Sequence, residues 1–375
     1  MKRKPFLFVF GTRPEAIKMA PVIRALADSR YGIRGRVCVT AQHREMLDQV
    51  LRVFNIRVDV DLNIMRKGQT LDQLTARALV QVRKVIEAER PAMVVVQGDT
   101  TTTFAASLAA FYESVPVAHI EAGLRTGDFA SPFPEEMNRV LTTSLASVHC
   151  APTKEARRNL LKQGIAEKSI HVTGNTVVDA LLEVVRDQRR LKTNFEALFP
   201  GIDWSRKIIL VTGHRRENFG AEFRNICKAL KSIARTQTGV EIVYPVHLNP
   251  NVQRPVRSLL SATRNVHLLP PLPYEQFVWL MNRSHLVLTD SGGVQEEAPS
   301  LGKPVLVMRT TTERPEGVKA GTVRLVGTSV ERITSEVSRL LTSPRSYLSM
   351  SRAHNPYGDG KAGRRIARVL SRAVR

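Results

Sequence analysis

The chain has 375 residues, 43% hydrophobic and 24% charged, and its 56 Lys and Arg against 34 Asp and Glu leave a formal charge of +22. That length suffices for two domains with full cores, and no run approaches the ~20 apolar residues of a membrane-spanning helix. Three widely spaced cysteines (Cys38, Cys150, Cys227) with no CxxC pair argue against a disulfide framework or a zinc site and fit a reducing cytoplasm.

The first apolar run, FLFVF, follows a basic start but ends at once in Gly-Thr-Arg-Pro, too short for a signal-peptide core; it predicts a buried strand. GTRPEAIK comes next, with Pro14 at a first helical position and Arg13 and Lys18 around the helix start, cations suited to an anionic group or simply a solvated basic turn. No GxGxxG accompanies it, which speaks against NAD. Further strands are predicted at RVCVT, AMVVVQG, VPVAHI, SVHCAP and IHVTG, each followed by a segment of helical period. After the helical VVDALLEVVRDQRRL and a looser stretch, KTNFEALFPGIDWSR, the rhythm restarts with KIILVTG, VEIVYPV, NVHLLP, HLVLTD, PVLVMR and TVRLVG.

This alternation is α/β with parallel sheets covered on both faces. It predicts two Rossmann-like, doubly wound domains, residues 1–175 and 176–358, with a basic amphipathic helix at 359–375 joining the first. The basic residues are otherwise spread along the chain without an RNP, zinc-finger or helix-turn-helix signature, so an anionic substrate explains them better than nucleic acid.

In open parallel sheets ligands sit beyond the carboxyl ends of strands. The first half places acids there: Asp99 in QGDTTTT, Glu121 in HIEAGLR, and Glu135 and Glu136 in SPFPEEMNR. Asp99 and Glu135 could be helix-start charges, but an acid directly after the apolar VPVAHI, Glu121, is aimed at a cleft, and several together supply groups for proton transfer. The second half places His214, Arg215 and Arg216 in GHRRENFG, and Ser291, Gly292 and Gly293 in LTDSGGVQEEA. Free amides at that strand-to-helix turn favour phosphate oxygens, while a carboxylate one turn on accepts from sugar hydroxyls. A nucleotide offers both groups, with Glu297 the ribose candidate and Glu296 a helix-start charge. Arg314 in TTERPEG is a further phosphate candidate.

Read together, FGTRPEAIKMAPVI, QGDTTTT, HIEAGLRTGD, SPFPEEMNR, VTGNTVVDAL, VTGHRRENFG and LTDSGGVQEEAPSLGKPVLVMRTTTERPE resemble the UDP-N-acetylglucosamine 2-epimerases of the bacterial non-hydrolysing kind, in consistent order from about residue 6 to 330. The resemblance implies a glycosyltransferase-B-like fold of two Rossmann domains around a cleft. It implies reversible epimerisation at C2 of UDP-N-acetylglucosamine, by elimination of UDP to 2-acetamidoglucal and re-addition, without an external cofactor or metal. Precursor supply for surface polysaccharide follows from it, as do a homodimer and a cytoplasmic location. Asp99, Glu121, Glu135 and His214 then correspond to the catalytic group. Arg13, Lys18, Ser291 to Gly293 and Arg314 correspond to ligands of the sugar diphosphate, Glu297 to the ribose ligand, Arg139 to a partner that holds an acid, and Phe277 in LPPLPYEQF to the uracil-side residue. Gln42, His43 and Gln69 match the segments through which some members bind a second UDP-N-acetylglucosamine as activator. Glu45 and Gly68 depart from the glutamine and arginine of those members. Alternatives are a hydrolysing epimerase releasing UDP and free N-acetylmannosamine, an epimerase of another UDP-sugar such as a diacetamido uronate, a glycosyltransferase, and a basic nucleic-acid binder.

Overall fold

A computed structural model describes residues 4–28, 31–40, 44–66 and 68–373, with the side chains of 44–46 excepted. The chain divides into two compact units. One comprises the described residues up to Ala180 and from Tyr357 onward; the other is Leu181–Pro356. The change of unit falls inside the helix Thr176–Arg190.

The first unit is built on seven strands: β1 (Phe6–Phe10), β2 (Gly35–Val39), β3 (Val60–Asp61), β4 (Met93–Gln97), β5 (Val117–Ile120), β6 (Val148–Ala151) and β7 (Ile170–Val172). They pair in parallel in the order β3-β2-β1-β4-β5-β6-β7. The second holds β8 (Lys207–Thr212), β9 (Val240–Pro245), β10 (Val266–Leu269), β11 (Leu286–Thr289), β12 (Val305–Val307) and β13 (Val323–Leu325). These too are parallel, in the order β10-β9-β8-β11-β12-β13. Both sheets are doubly wound α/β layers, as the repeated strand–helix pattern predicts. Every residue of β1 and β4 is buried, which is why those strands read as continuous apolar runs. β3 has two residues, one of them exposed, and leaves no such signal.

In the first unit, the C-terminal helix Ala362–Ala373 lies against the helix Arg13–Leu26. The approach is close: a Cβ on Gly363 would sit 2.8 Å from the Pro21 carbonyl oxygen. The free amides at its start are capped from another helix, since Asp179 accepts from Ala362 N at 3.1 Å and Gly363 N at 2.8 Å. Among the described residues no helix is long and apolar enough to cross a membrane. The three cysteines are free and buried.

Candidate functional site

In the first unit the polar residues gather where β1, β4 and β5 end. The turn from β1 into the helix Arg13–Leu26 is organised by Glu15, 2% exposed, which accepts from the amides of Gly11 and Thr12 at 3.0 and 2.8 Å. The same carboxylate takes the hydroxyls of Thr100 and Thr103 at 2.7 and 3.2 Å, joining the end of β1 to the start of the helix after β4. Burial raises the Glu15 carboxyl pKa, and the bonds from Thr100, Thr12 and Gly11 oppose the rise. Arg13, on the same turn, is half-buried and has no hydrogen-bond or ion-pair partner among the described residues.

Glu121 follows β5 directly, with a left-handed backbone at φ 67°. For a residue with a side chain that conformation costs roughly 1 kcal/mol or more, and a ring of donors offsets it. Lys18 Nζ reaches both carboxylate oxygens at 2.7 and 2.6 Å, Asn175 Nδ2 donates at 3.2 Å, and Gln97 Nε2 donates from the end of β4. The resemblance assigns Lys18 to the sugar diphosphate; in the folded chain its ammonium pairs with this acid. Asp99 is held from both ends. Arg139 donates through Nε and Nη2 to Asp99 Oδ2 at 2.9 and 2.7 Å, and Asn138 Nδ2 donates to the Asp99 backbone carbonyl at 2.9 Å. Arg139 also bonds Glu136 at 2.9 Å, and Glu136 accepts the amides of Thr126 and Gly127. Glu135, at the start of the same helix, differs: its Oε2 is buried with no hydrogen-bond partner among the described residues.

In the second unit the corresponding strand ends carry the opposite arrangement. Asp290, fully buried after β11, accepts the amides of His214 and Arg215 at 2.9 Å, and Asn218 Nδ2 at 3.3 Å. His214 Nδ1 lies 3.5 Å from the same carboxylate, and its ring stacks on His247 at 5.4 Å. Burial lowers the His214 pKa, Asp290 opposes the fall, and Arg215 and His247 add to it. Ser291 sits at the N-cap of the short helix Gly292–Glu297 without a side-chain cap bond; its amide donates to Thr289 Oγ1 at 2.9 Å.

Arg314 lies over Gly292, where an added Cβ would meet the guanidinium at 2.8 Å and displace it. Its Nε donates to Glu296 Oε1 at 2.8 Å. Glu296 is therefore the buried counter-ion of Arg314 and not the solvated helix-start charge expected from its position. Glu297 accepts from the Tyr274 hydroxyl at 3.0 Å. Arg309 pairs with both Glu217 and Glu313, binding the His214 loop to the Arg314 loop. Burial opposes ionisation of Glu313, yet its bonds to Arg309 draw its pKa down to about 2. Phe277 belongs to the helix Tyr274–Arg283, where it joins the apolar cluster around Trp279 and Leu280.

Several residues of this constellation carry no mark in the sequence reading. Gln97 and Asn175 are ordinary amides until the fold sets them on Glu121. Asp290 carries the signal that identified Glu121, an acid ending an apolar strand, and Thr12-x-x-Glu15 has capping-box spacing. Of the activator-site candidates, Gln42 and His43 lie outside the described residues, as does the Glu45 side chain. Gln69 accepts from Arg77 at 2.7 Å and turns its Nε2 to Met65 Sδ, and Gly68 is left-handed at φ 73°.

The sequence profile of the UDP-N-acetylglucosamine 2-epimerases matches residues 25–371. The UDP-N-acetylglucosamine 2-epimerase of Escherichia coli K12 is 59% identical over 368 residues, covering 97% of each chain. The crystal structure of UDP-GlcNAc 2-epimerase from Neisseria meningitidis bound to UDP-GlcNAc superposes with a TM-score of 0.93 at 51% identity, covering 98% of this chain and 100% of that one. The enzyme of Methanocaldococcus jannaschii in complex with UDP-GlcNAc and UDP gives a TM-score of 0.82 at 35% identity, with 98% and 99% covered.

Proposed function

The chain belongs to the UDP-N-acetylglucosamine 2-epimerase family, and from that premise we propose that it interconverts UDP-N-acetylglucosamine and UDP-N-acetylmannosamine without hydrolysing either. A carboxylate removes the proton from C2 as the C1–O bond breaks. The C2–H electron pair becomes the C1=C2 double bond of 2-acetamidoglucal, and UDP leaves with the C1–O pair. UDP then adds back to C1 while C2 is protonated on the other face.

C2 is a weak carbon acid, so the leaving pyrophosphate must be stabilised as its charge develops. His214, Arg314, Arg13 and the amides of Ser291, Gly292 and Gly293 supply that stabilisation, Glu297 takes the ribose, and Phe277 serves the uracil side. Asp99, Glu121 and Glu135 form the acid/base group, with Lys18 and Arg139 aiming two of them. The observation that carries the reading is the contrast in what the strand ends hold. Carboxylates are gripped by donors in one unit, and donors are gripped by carboxylates in the other. Assembly as a homodimer, a cytoplasmic location and a place in surface-polysaccharide precursor supply belong to the same proposal.

Incubation with UDP-N-acetylglucosamine in deuterated water, followed by NMR, tests it. The expected result is deuterium at C2 and a mixture containing the manno epimer, with UDP still attached. Free UDP and free sugar as main products would establish the hydrolysing reaction instead. Absence of isotope uptake with any UDP-N-acetylhexosamine would defeat the epimerase reading.

A further inference from the structure

Asp99 and Glu121 are aimed by side-chain partners and Asn138 holds the carbonyl of Asp99, but the peptide before Asp99 is fixed from β5. His119, in β5, is fully buried, and its Nε2 lies 2.7 Å from the Gly98 carbonyl oxygen. A carbonyl only accepts, so Nε2 carries the proton. Gly98 links β4 to Asp99 in a left-handed turn at φ 77°, and its own amide donates to the Ile120 carbonyl at 3.0 Å. Both polar groups of the residue before Asp99 are thus tied to β5, one through each of the two residues before Glu121. The connection joins the ends of two strands that each deliver an acid.

We propose that His119 is a positioning residue for proton transfer at C2, holding the Gly98 carbonyl so that Asp99 keeps a fixed place relative to Glu121. This rests on the reading of Asp99 as one of the acid/base groups. A hydroxyl or carboxamide could satisfy a carbonyl equally well in energy; what the imidazole adds is a rigid planar donor that spans from one strand to the next with two side-chain torsions. The donor also has a single form. Burial, with smaller contributions from His149 and Arg125, pushes the His119 pKa down to about 3 against the opposing bond to Gly98 and the charge of Asp99, so the ring is neutral near pH 7. Register sets His149 beside it on β6.

The test compares His119→Asn, whose amide is too short to reach Gly98, with His119→Gln, whose amide nitrogen can occupy the place of Nε2. A displaced acid should cost roughly 10- to 100-fold in kcat, with KM for UDP-N-acetylglucosamine and affinity for UDP changed by no more than about twofold. The Gln variant should regain most of that loss. Wild-type kcat in the Asn variant, or equal impairment of Asn and Gln, overturns the proposal. If the Asn chain does not fold, Gly98→Ala takes its place: the added methyl meets open space but strains the same left-handed peptide, and the same kcat loss is expected. Asp99→Asn is measured alongside. Wild-type turnover in that variant would sink the acid/base reading itself, whereas an inactive Asp99→Asn beside a fully active His119→Asn would sink only the role of His119.

Discussion

The two units present the same architecture with the electrical signs exchanged. In the first, Glu121 and Asp99 stand at strand ends, and Lys18, Gln97, Asn175 and Arg139 converge on them. In the second, Asp290 and Glu296 are withdrawn into the interior, and the His214 loop and the Arg314 guanidinium are what they hold in place. A parallel strand end is therefore neutral scaffolding. Of the Asp99–Arg139 pair the acid is the more exposed member, of the His214–Asp290 and Arg314–Glu296 pairs the donor is, and Lys18 and Glu121 are both largely buried; removing a buried member strands a charge or a donor.

The largest effect is expected where an acid of the first unit acts on the sugar. Glu121→Gln should lower turnover by on the order of 10³-fold or more, while UDP affinity, read by calorimetry, stays near wild type. A parallel loss of UDP affinity would break the contrast, since it would make the acid part of the nucleotide site. His214→Ala comes next, with turnover down roughly 100-fold and UDP bound more weakly; unaltered kinetics would mean that the phosphate site lies elsewhere.

Asp290→Asn should give a smaller change, about tenfold, by loosening the amides it gathers, and it should appear mainly as a raised KM. The mildest outcome concerns acid stability, to which two buried histidines of the first unit contribute. Burial pushes the pKa of His119 to about 3 and that of His149 to about 4 from an ordinary value of 6.5. Between those values the unfolded chain binds more protons, so stability rises with pH, is complete above 6.5 and is lost as pH falls towards 3. For His119 alone this amounts to on the order of 5 kcal/mol. Thermal unfolding should show a marked fall in Tm from pH 7 to pH 5, with a shallower slope in His119→Gln; an unchanged slope would remove this residue from the acid response.

Much of this organisation is legible in the chain. Strands buried on both faces must be apolar throughout, so FLFVF and MVVVQ are visible as strands, and the residues after them are marked by breaking the pattern. Glu121 and Ser291 stand out in the sequence in that way. Pairing is not legible, because partners are chosen by topology. Lys18 meets an acid 103 positions away, and Arg314 meets Glu296 across 18, distances at which no periodicity operates. The short β3 escaped for a related reason: two residues at a sheet edge bury too little to demand an apolar run.

The contact between the C-terminal helix and the helix Arg13–Leu26 has a consequence for how the protein is made. Asp179 and the groove at Pro21 leave the ribosome early, yet the helix they receive is translated only after all of Leu181–Pro356. The second unit is continuous in sequence and can close its contacts as soon as it emerges. The first is finished last, by a loop closure that spans its sibling. Birth order and numbering run in opposite directions, and the first unit is finished only after the second is complete.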